Sequence, residues 1–526
     1  MEIPASEQTA SSTPVAIESG SHTGLGGIPW SVWGIAAASF AAHMLTSDRY
    51  GYFRDVLYYM ACARHLALGY VDQPPMIALV TWFTMHTLGT SLPALMLFPA
   101  LAGAAMIVLT GVIARDLGGG RFAQGLAAFS IAVGGAYVVI AHQLAMNVFE
   151  PLLWMGCADL LIRIIKRGDQ KLWIWFGVLS GLGLENKYSM AVFGFAVVVG
   201  LLLTEHRRAF CERWIYLGGA IAFAIFLPNL LWNVQHHFPF VQLMHNINTS
   251  GKNVTMGPLA YLGEQAAMMG VFNVLIWFPG LLFLFFSPMG KRFRALGWAF
   301  LVVIATFMIL KGKDYYSAPA YPMLLAAGAV ALERIKRARR LVRIGLVALL
   351  GTGTALGLPI LLPILSLPNY MRYQHALGYK PPATEKSFAA SPLPQYYSDE
   401  LGWREMVANV AQAYNSLPRA QRQVTAIFAQ NYGEAGAIDF FGPKYGLPPA
   451  ISGHQNYYYW GPRQYTGQSM IVLGADRACL EKFFQHVTLV GHFGVPLALE
   501  RGSIWWCTGP RGWTLRQVWP TLKNWH

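Results

Sequence analysis

The feature that most restricts the possible folds of this chain is a series of long apolar runs separated by short clusters of charge. Three clear examples span 95–114, 215–232 and 343–366. Each approaches or exceeds the roughly 18–20 residues that cross a bilayer as a helix. Only 12% of the residues are charged, whereas charged residues make up about a quarter of a typical soluble domain. The pattern predicts a polytopic α-helical membrane protein.

Twelve apolar segments are candidate membrane spans. They cover 29–46, 75–92, 94–114, 122–141, 151–165, 172–185, 188–204, 214–232, 266–286, 295–310, 316–332 and 343–366. Basic residues cluster in the short segments between them, most densely in RIKRARRLVR at 334–343. This distribution is typical of cytoplasmic loops. It accounts for the net charge of +14 without a nucleic-acid partner.

The membrane side of the connecting segment 47–75 depends on how many spans follow it. If 334–343 is cytoplasmic and 75–114 holds two spans, counting backwards places 47–75 in the cytoplasm as well. If this segment takes part in a reaction outside the cytoplasm, it must lie on the opposite side of the membrane, and the number of spans must be odd. We therefore expect about 11 to 13 transmembrane helices, with the parity left open.

Changes in composition predict four regions along the chain. Residues 1–28 are polar and small, and no basic segment precedes the first apolar run, so a disordered tail ahead of a retained signal anchor is expected. Residues 29–366 form the membrane domain, and the Pro-rich residues 367–394 form a linker. Residues 395–526 form a small α/β domain on the side opposite the basic loops.

Within the last region, short apolar segments predict strands and amphipathic segments predict helices. The predicted strands are QVTAIFAQ, SMIVLGA, HVTLVGHF and SIWWCTG. WREMVANVAQAYNSL is predicted to form a helix, and YGEAGAIDFFG a turn and a helix. Cys479 and Cys507 either form a disulfide or remain two separate thiols, since their spacing alone decides neither.

The segment 48–77 holds more polar chemistry than a passive connector needs. It contains three aspartates, three arginines, five tyrosines and a Pro-Pro pair. On a helix, Asp55 and Tyr59 share a face at i, i+4, and a carboxylate held at the mouth of a membrane cavity can act as a general base. The alternative for Asp55 is a salt bridge to one of the nearby arginines, Arg49, Arg54 or Arg64.

Asp72 immediately precedes Gln73 and the two prolines at 74–75. Prolines favour the first turn of a helix, so the next helix is expected to begin here. Asp72 is then either the N-cap of that helix or a second acidic group that faces Asp55 across the segment.

The run YFRD-x-LYY-x-A-x-x-x-HLA-x-GYVDQPP at 52–75 resembles the first outer loop of bacterial polyprenyl-phosphate-sugar-dependent glycosyltransferases. These enzymes form the PMT/ArnT-like group of the GT-C superfamily, with an RgtA/B/C/D-like domain. The resemblance continues, in order, through ENKYS, LPNLLWNVQHHFP, KGKDYYSAPAYPMLLAAGA, QNYGEAGAIDFFGP and SGHQNYYYWGP, and so covers nearly the whole chain.

This resemblance implies a GT-C-like fold and a glycosyltransferase that moves a hexosyl or pentosyl group from a lipid-phosphate donor, with no nucleotide cofactor. Asp55 matches the aspartate of the family's acidic Asp-Glu pair and is the expected general base. Val56 stands where the family has the glutamate. Asp72 matches the second acidic position, which approaches the donor phosphate or a divalent cation.

Further residues are predicted to bind the donor phosphate or the substrate. The set is Asp72, Gln73, Glu150, Lys187, Lys313 and Tyr316. Simpler interpretations stay open for three of them. Lys187 can be a lysine that extends to the membrane interface, Lys313 can be neutralised by a neighbour such as Asp314, and Glu150 can stabilise a helix N-terminus.

A divalent metal ion is a further candidate cofactor. Histidines follow in the long segment 233–265, and His237 and His245 are the predicted ligands together with Asp72. The alternative is that these histidines are simply solvated. Metal dependence is left open by the sequence.

The expected partners are a polyprenyl-phosphate-sugar donor, an extracytoplasmic acceptor (lipid, glycan or protein) and membrane lipids. The expected location is the bacterial inner membrane, with the active site and the C-terminal domain in the periplasm. The alternative function is a transporter or lipid flippase without covalent chemistry. Transporters commonly show two related halves with charges at the membrane midplane, and this sequence shows no such duplication. Its polar residues cluster at one membrane face, which favours the enzyme.

Overall fold

The computed structural model describes residues 27–252, 254, 256–336, 339–382, 385–386 and 391–525. The tail predicted at 1–28 therefore lies almost entirely outside the described residues. The rest forms a helical bundle followed by a domain with one small sheet. The helices of the bundle are α1 (Trp30–Leu45), α2 (Arg54–Arg64), α3 (Met76–Thr87), α4 (Leu92–Asp116), α5 (Arg121–Ala132), α6 (Gly135–Ile140), α7 (Met146–Arg167), α8 (Leu172–Asn186), α9 (Met190–Leu202), α10 (Arg213–Gln235), α11 (Pro239–Ser250), α12 (Pro258–Met268), α13 (Val274–Phe286), α14 (Arg294–Ile309), α15 (Tyr321–Glu333) and α16 (Arg339–Leu361).

Every one of the predicted spans coincides with at least one of these helices, which confirms the polytopic α-helical fold. By length and apolar composition, four described helices can each cross a membrane unaided: α4, α10, Gly290–Ile309 and α16. The number rises to 6 if two bent pairs each count as one span. Those pairs are Met190–Leu202 with Glu205–Cys211, bent by 111°, and Pro258–Met268 with Val271–Phe286, bent by 100°.

The basic connections gather at one end of the bundle. Arg163 Nε lies 3.1 Å from Asp116 Oδ2, and Lys166 Nζ donates to the Asp116 carbonyl at 2.9 Å. Glu333 accepts a hydrogen bond from the Gly120 backbone N–H at 2.6 Å. These contacts bring together the ends of α4, α7 and α15 and the start of α5, as the charge pattern predicted.

The segment 47–75 lies at the other end of the bundle. The position of α3 explains why the sequence has an even number of candidate spans. The Tyr52 hydroxyl donates to the Thr90 carbonyl at 2.9 Å, so the chain just after α3 lies beside the chain just before α2. Both ends of α3 are thus at the same end of the bundle. Its 12 residues also reach only about 18 Å, less than the hydrocarbon core.

Residues 75–114 hold α3 and α4, and the structure favours the possibility that they contribute one span rather than two. Of this pair only α4 runs from the Thr90 end to the Asp116 end. Removing α3 leaves about 11 elements between the two ends, within the expected range. This odd number places the segment 47–75 and the basic loops at opposite ends.

Two glycines allow α13 and α15 to pack closely against each other. A Cβ at Gly280 would meet the backbone of Leu324, and one at Gly328 would meet the backbone of Ile276. Helices α13 and α15 can therefore approach only because neither position has a side chain, as is usual for membrane helices.

The C-terminal domain matches its predicted elements closely. Helix α17 (Leu367–Ala376) lies in the predicted linker. The elements of the domain are α18 (Gln395–Ser398), α19 (Trp403–Ser416), α20 (Arg419–Val424), β1 (Thr425–Phe428), α21 (Tyr432–Phe441), α22 (Asn456–Trp460), β2 (Ser469–Leu473), α23 (Arg477–Phe483), β3 (Phe484–Phe493), β4 (Gly502–Pro510) and α24 (Leu515–Val518). The sheet order is β1-β2-β4-β3, with β1 parallel to β2 and the other pairs antiparallel. Cys479 is exposed, Cys507 is buried, and both are free thiols rather than a disulfide.

The C-terminal domain packs directly on the segment 47–75. The Arg64 guanidinium donates to the Asp439 carbonyl at 2.9 Å, and the Val71 backbone N–H donates to Asn456 Oδ1 at 2.7 Å. The predicted linker is also partly ordered, because α17 buries Tyr370 against Tyr397. The site end of the bundle is thus covered by folded protein.

Candidate active site

A cavity of about 1550 Å³ lies where the segment 47–75, the bundle and the C-terminal domain meet. Five of the residues predicted from the sequence line it: Asp55, Asp72, Lys187, Lys313 and Tyr316. They come from four separate parts of the chain, so their convergence is a property of the fold.

Asp55 lies in the first turn of α2, and its side chain is 30% exposed toward the cavity. Tyr432 donates a hydrogen bond to Asp55 Oδ1 at 2.7 Å. Arg54 Nε lies 3.9 Å from the same oxygen. Both contacts are made to Oδ1, so within the described part of the chain Asp55 Oδ2 has no protein partner.

Arg54 is engaged more closely by another acid. Its Nη2 lies 3.4 Å from Oδ2 of Asp399, which is fully buried in the C-terminal domain. Burial raises the pKa of Asp399 to about 7, although Arg54 acts in the opposite direction. The salt bridge that was the alternative for Asp55 therefore forms mainly with Asp399, and Arg54 still presents a cation to the cavity wall.

Asp72 also lines the cavity. The Tyr58 hydroxyl donates to Asp72 Oδ1 at 3.0 Å. Burial raises the pKa of Asp72 to about 7, opposed by that hydrogen bond. The N-cap interpretation fails, because Pro75 occupies the cap position of α3 and no side chain caps the helix.

Gln73 does not reach the cavity, contrary to its predicted place among the substrate-binding residues. Its side chain is completely buried, with Nε2 at 4.0 Å from Cys62 Sγ. Gln73 instead packs behind the cavity wall, against α2.

Lys187 projects from the break between α8 and α9 and is held by two acceptors. Its Nζ lies 2.8 Å from Glu150 Oε2 and donates to Asn147 Oδ1 at 2.9 Å. It also lies 4.7 Å from the ring centroid of Tyr316, a cation–π distance. Glu150 is buried and also accepts from Ser189, so it supports Lys187 instead of lining the cavity.

Lys313 is neutralised by a residue that the sequence did not suggest. Its Nζ lies 2.9 Å from Oε1 of Glu385, and Lys252 Nζ lies 3.8 Å from Oε2 of the same carboxylate. Against the effect of burial, Tyr316 and Glu385 raise the pKa of Lys313. Burial lowers the pKa of Lys252, whose contact with Glu385 is longer. Two cations therefore share one anion at the cavity wall.

The predicted metal ligands do not assemble. His237 and His245 are both exposed and do not line the cavity that holds Asp72. Among the described residues, no group of three or more His, Cys, Asp or Glu side chains is placed to hold a metal ion. The residues present thus do not fit the predicted three-ligand site.

The sequence prediction missed Arg54 as a cavity cation, and also Lys252, Glu385 and Tyr432. Tyr432 stood inside the quoted motif QNYGEAGAIDFFGP. Nothing local to that motif indicates a contact with Asp55, which lies 377 positions earlier. Likewise, Glu385 lies 72 positions from Lys313.

The remaining wall of the cavity is apolar and extends along the bundle. Helices α6, α11, α12 and α16, with the short segment 270–273, supply most of it. The apolar lining residues include Val139, Ile140, Val271, Phe272, Leu356, Ile360 and Leu361. One continuous cavity therefore joins a charged end with a hydrocarbon-like surface.

Comparisons with known proteins agree with this arrangement. The family model of dolichyl-phosphate-mannose-protein mannosyltransferases matches residues 72–232. The chain is 26% identical over 247 residues to the lipid A galacturonosyltransferase RgtD of Rhizobium johnstonii, a match that covers 44% of this chain and 50% of that protein. The alignment thus spans about half the length of this curated relative.

Two solved structures of ArnT from Cupriavidus metallidurans share the fold. The structure bound to undecaprenyl phosphate gives a TM-score of 0.61 at 14% identity and covers 90% of this chain and 97% of that one. The apo structure gives 0.59 at 15% identity with the same coverage. The chain is thus similar in sequence to these glycosyltransferases over part of its length and shares the ArnT fold, in agreement with the resemblance found in the sequence motifs.

Proposed function

We propose that this protein is an integral membrane glycosyltransferase that moves a sugar from a polyprenyl-phosphate donor to an acceptor outside the cytoplasm. One observation carries the proposal. A single cavity joins an accessible carboxylate, a group of cations and a long apolar wall. A lipid-phosphate sugar has the same three parts: a reactive sugar, an anionic link and a hydrocarbon chain.

Asp55 is the general base of the proposed reaction. It takes the proton of the acceptor hydroxyl while the acceptor oxygen forms a bond to the anomeric carbon of the sugar. The bond from that carbon to the phosphate oxygen breaks, and its electron pair leaves with the lipid phosphate. Attack opposite the leaving group inverts the anomeric configuration.

The leaving phosphate gains negative charge, and cations on the cavity wall stabilise it. Lys187, Lys252, Lys313 and Arg54 are the candidates. Lys252 and Lys313 share only one carboxylate, so this pair keeps one unit of positive charge in excess. Asp72, with its pKa near 7, can be neutral while an anionic phosphate is close.

The apolar wall supplies the site for the polyprenyl chain. Burying such a chain gains about 25 cal/mol for each Å² of apolar surface removed from water. ArnT of Cupriavidus metallidurans has been solved with undecaprenyl phosphate bound, which supports a carrier of this chemistry. The relative RgtD is a lipid A galacturonosyltransferase, so a lipid acceptor is the first to test, ahead of a glycan or a protein.

The proposed location is the bacterial inner membrane, with the cavity and the C-terminal domain in the periplasm. This orientation is supported by the basic loops at the opposite end of the bundle, since such loops favour the cytoplasm. The test is to place single cysteines at the end of α15 and in the C-terminal domain and to label them in intact cells with a membrane-impermeant thiol reagent. Labelling of the α15 end in intact cells would contradict it.

The decisive experiment measures sugar transfer by purified protein in lipid vesicles, with a panel of polyprenyl-phosphate hexoses and pentoses and a lipid A acceptor. Asp55→Asn should lower kcat by about 10²–10⁴-fold. Asp48→Asn is the matched control, since Asp48 is an exposed aspartate of the same segment that does not line the cavity. Unchanged transfer by Asp55→Asn would exclude the base role. Donor movement across the vesicle without transfer would favour the transporter.

A further inference from the structure

The C-terminal domain contributes one side chain directly to the candidate base. Tyr432 is the first residue of α21, lines the cavity, and donates its hydroxyl to Asp55 Oδ1 at 2.7 Å. The hydroxyl must be the donor, because an ionised carboxylate only accepts. Burial raises the pKa of Tyr432 well above its usual range, so the phenol keeps its proton at any working pH.

Tyr432 is itself held in place by several neighbours. Its backbone N–H donates to His454 Nδ1 at 3.1 Å, and the two rings stack at 5.0 Å with planes 9° apart. The ring of Tyr58 lies 4.7 Å away, and the Arg54 guanidinium lies 5.5 Å from the Tyr432 ring centroid. Asn431 caps α21 because its Oδ1 accepts from the backbone N–H groups of Gly433 and Glu434, which fixes where the helix begins.

We propose that Tyr432 is a positioning residue for the transfer reaction: its hydroxyl fixes Oδ1 of Asp55 and leaves Oδ2 as the atom that receives the acceptor proton. The C-terminal domain thereby completes the active site. This inference rests on the proposed function, because it assigns a supporting role to the proposed base.

The physical reason lies in the freedom of a carboxylate about its terminal torsion, which has a broad and roughly two-fold energy profile. Asp55 is 30% exposed to the cavity, so packing alone does not fix that torsion. One hydrogen bond from the immobilised phenol of Tyr432 fixes this torsion. Misplacement of a reacting group by about 1 Å can cost roughly 10²-fold in rate. The bond also favours the charged carboxylate, so its loss should alter the pH dependence of the reaction.

The test compares Tyr432→Phe with Tyr457→Phe. Tyr457 is a buried tyrosine of the same domain that donates to another aspartate, Asp439 Oδ2, at 2.9 Å. Each variant loses one tyrosine–aspartate hydrogen bond, but only Tyr432 touches the proposed base. We expect Tyr432→Phe to lower kcat by about 10-fold or more with little change in KM for either substrate. The acid limb of its kcat–pH profile should move to higher pH, while Tyr457→Phe keeps both wild-type parameters.

The possible results distinguish a failure of this inference from a failure of the proposed function. If the wild type transfers no sugar, the proposed function fails. If the wild type is active, Asp55→Asn is inactive and Tyr432→Phe has wild-type kcat and pH profile, the positioning role fails. Equal losses in the two tyrosine variants would also overturn it, because they would indicate a general effect on the domain.

A second variant covers the case in which Tyr432→Phe does not fold. Incorporation of 3-fluorotyrosine at position 432 keeps the ring and the hydroxyl but makes the phenol a stronger donor. The acid limb of the kcat–pH profile should then move to lower pH, opposite to the effect of removing the hydroxyl. An unchanged profile for the fluorinated protein would overturn the proposal.

Discussion

Lys187 and Glu150 form a buried ion pair whose Nζ and Oε2 atoms lie 2.8 Å apart, between the start of α7 and the break that separates α8 from α9. The two side chains are 14% and 4% exposed. Glu150 was predicted to bind substrate, but the structure gives it a different place. It holds Lys187 at the cavity wall, where the cation faces Tyr316.

Breaking this pair should destabilise the protein. Glu150→Leu leaves Lys187 as an uncompensated buried charge, which typically costs about 3–5 kcal/mol. The double variant Glu150→Leu/Lys187→Met should recover much of that loss, because no buried charge remains. Unfolding in detergent, followed by circular dichroism, measures both. The matched control is Glu481→Gln, which breaks a pair of the same 2.8 Å length at the surface and should cost less than about 1 kcal/mol. A double variant as unstable as the single one would contradict this account.

The outcome for α3 shows what hydropathy can and cannot establish. Apolar runs predict helices well, because a helix in a membrane must satisfy its own backbone. Whether a helix crosses the membrane depends on where its ends lie, and for α3 that is decided by the contact between Tyr52 and Thr90. No local pattern encodes such a contact.

The sequence likewise predicted part of the candidate site and not the rest. Asp55, Asp72, Lys187 and Lys313 were recognisable because each is a polar residue next to apolar runs, where burial is costly without a function or a partner. Their partners were not recognisable. Tyr432 and Glu385 reach the cavity from 377 and 72 positions away in the chain, through the docking of the C-terminal domain and of the segment that precedes it.

Stability should depend on pH through Asp72. Burial raises its pKa from 3.8 to about 7, so the folded protein binds the proton more tightly than the unfolded chain. Between about pH 4 and pH 7 the folded state therefore holds more protons, and stability falls as pH rises through this window. Asp72→Asn, which imitates the neutral acid, should flatten that slope and raise the melting temperature at pH 8 but not at pH 4.

Thermal unfolding in one buffer system from pH 4 to pH 8 checks this expectation. Asp48→Asn is the control, since Asp48 is exposed and should keep the wild-type slope. A slope that Asp72→Asn leaves unchanged would show that other groups produce it, with Asp399 the first to examine because its pKa is also raised to about 7 by burial.

Removing the Glu385 carboxylate should strengthen binding of an anionic ligand. Glu385→Gln leaves Lys252 and Lys313 without their shared partner, so a phosphate group no longer competes with a carboxylate for them. We expect the Kd for undecaprenyl phosphate to fall several-fold, measured by titration calorimetry in detergent. Glu264→Gln changes another carboxylate of the cavity wall, and we expect it to leave the Kd unchanged. Weaker binding by Glu385→Gln would instead mean that Glu385 is needed to hold the two lysines in place.

The contact between α2 and α21 should tolerate no added side chain. A Cβ at Gly436 would lie 2.9 Å from the backbone C and O atoms of Leu57, and backbone cannot yield as a flexible side chain would. Gly436→Ala should therefore push α21 away from α2, cost about 1–3 kcal/mol and lower sugar transfer through the loss of the contact between Tyr432 and Asp55. Gly345→Ala is the matched helical control, because nothing lies within 4 Å of its Cβ position, and it should be neutral or stabilising by up to about 1 kcal/mol. Retention of full activity by a measurably destabilised Gly436→Ala would show that transfer does not require the C-terminal domain to sit against α2.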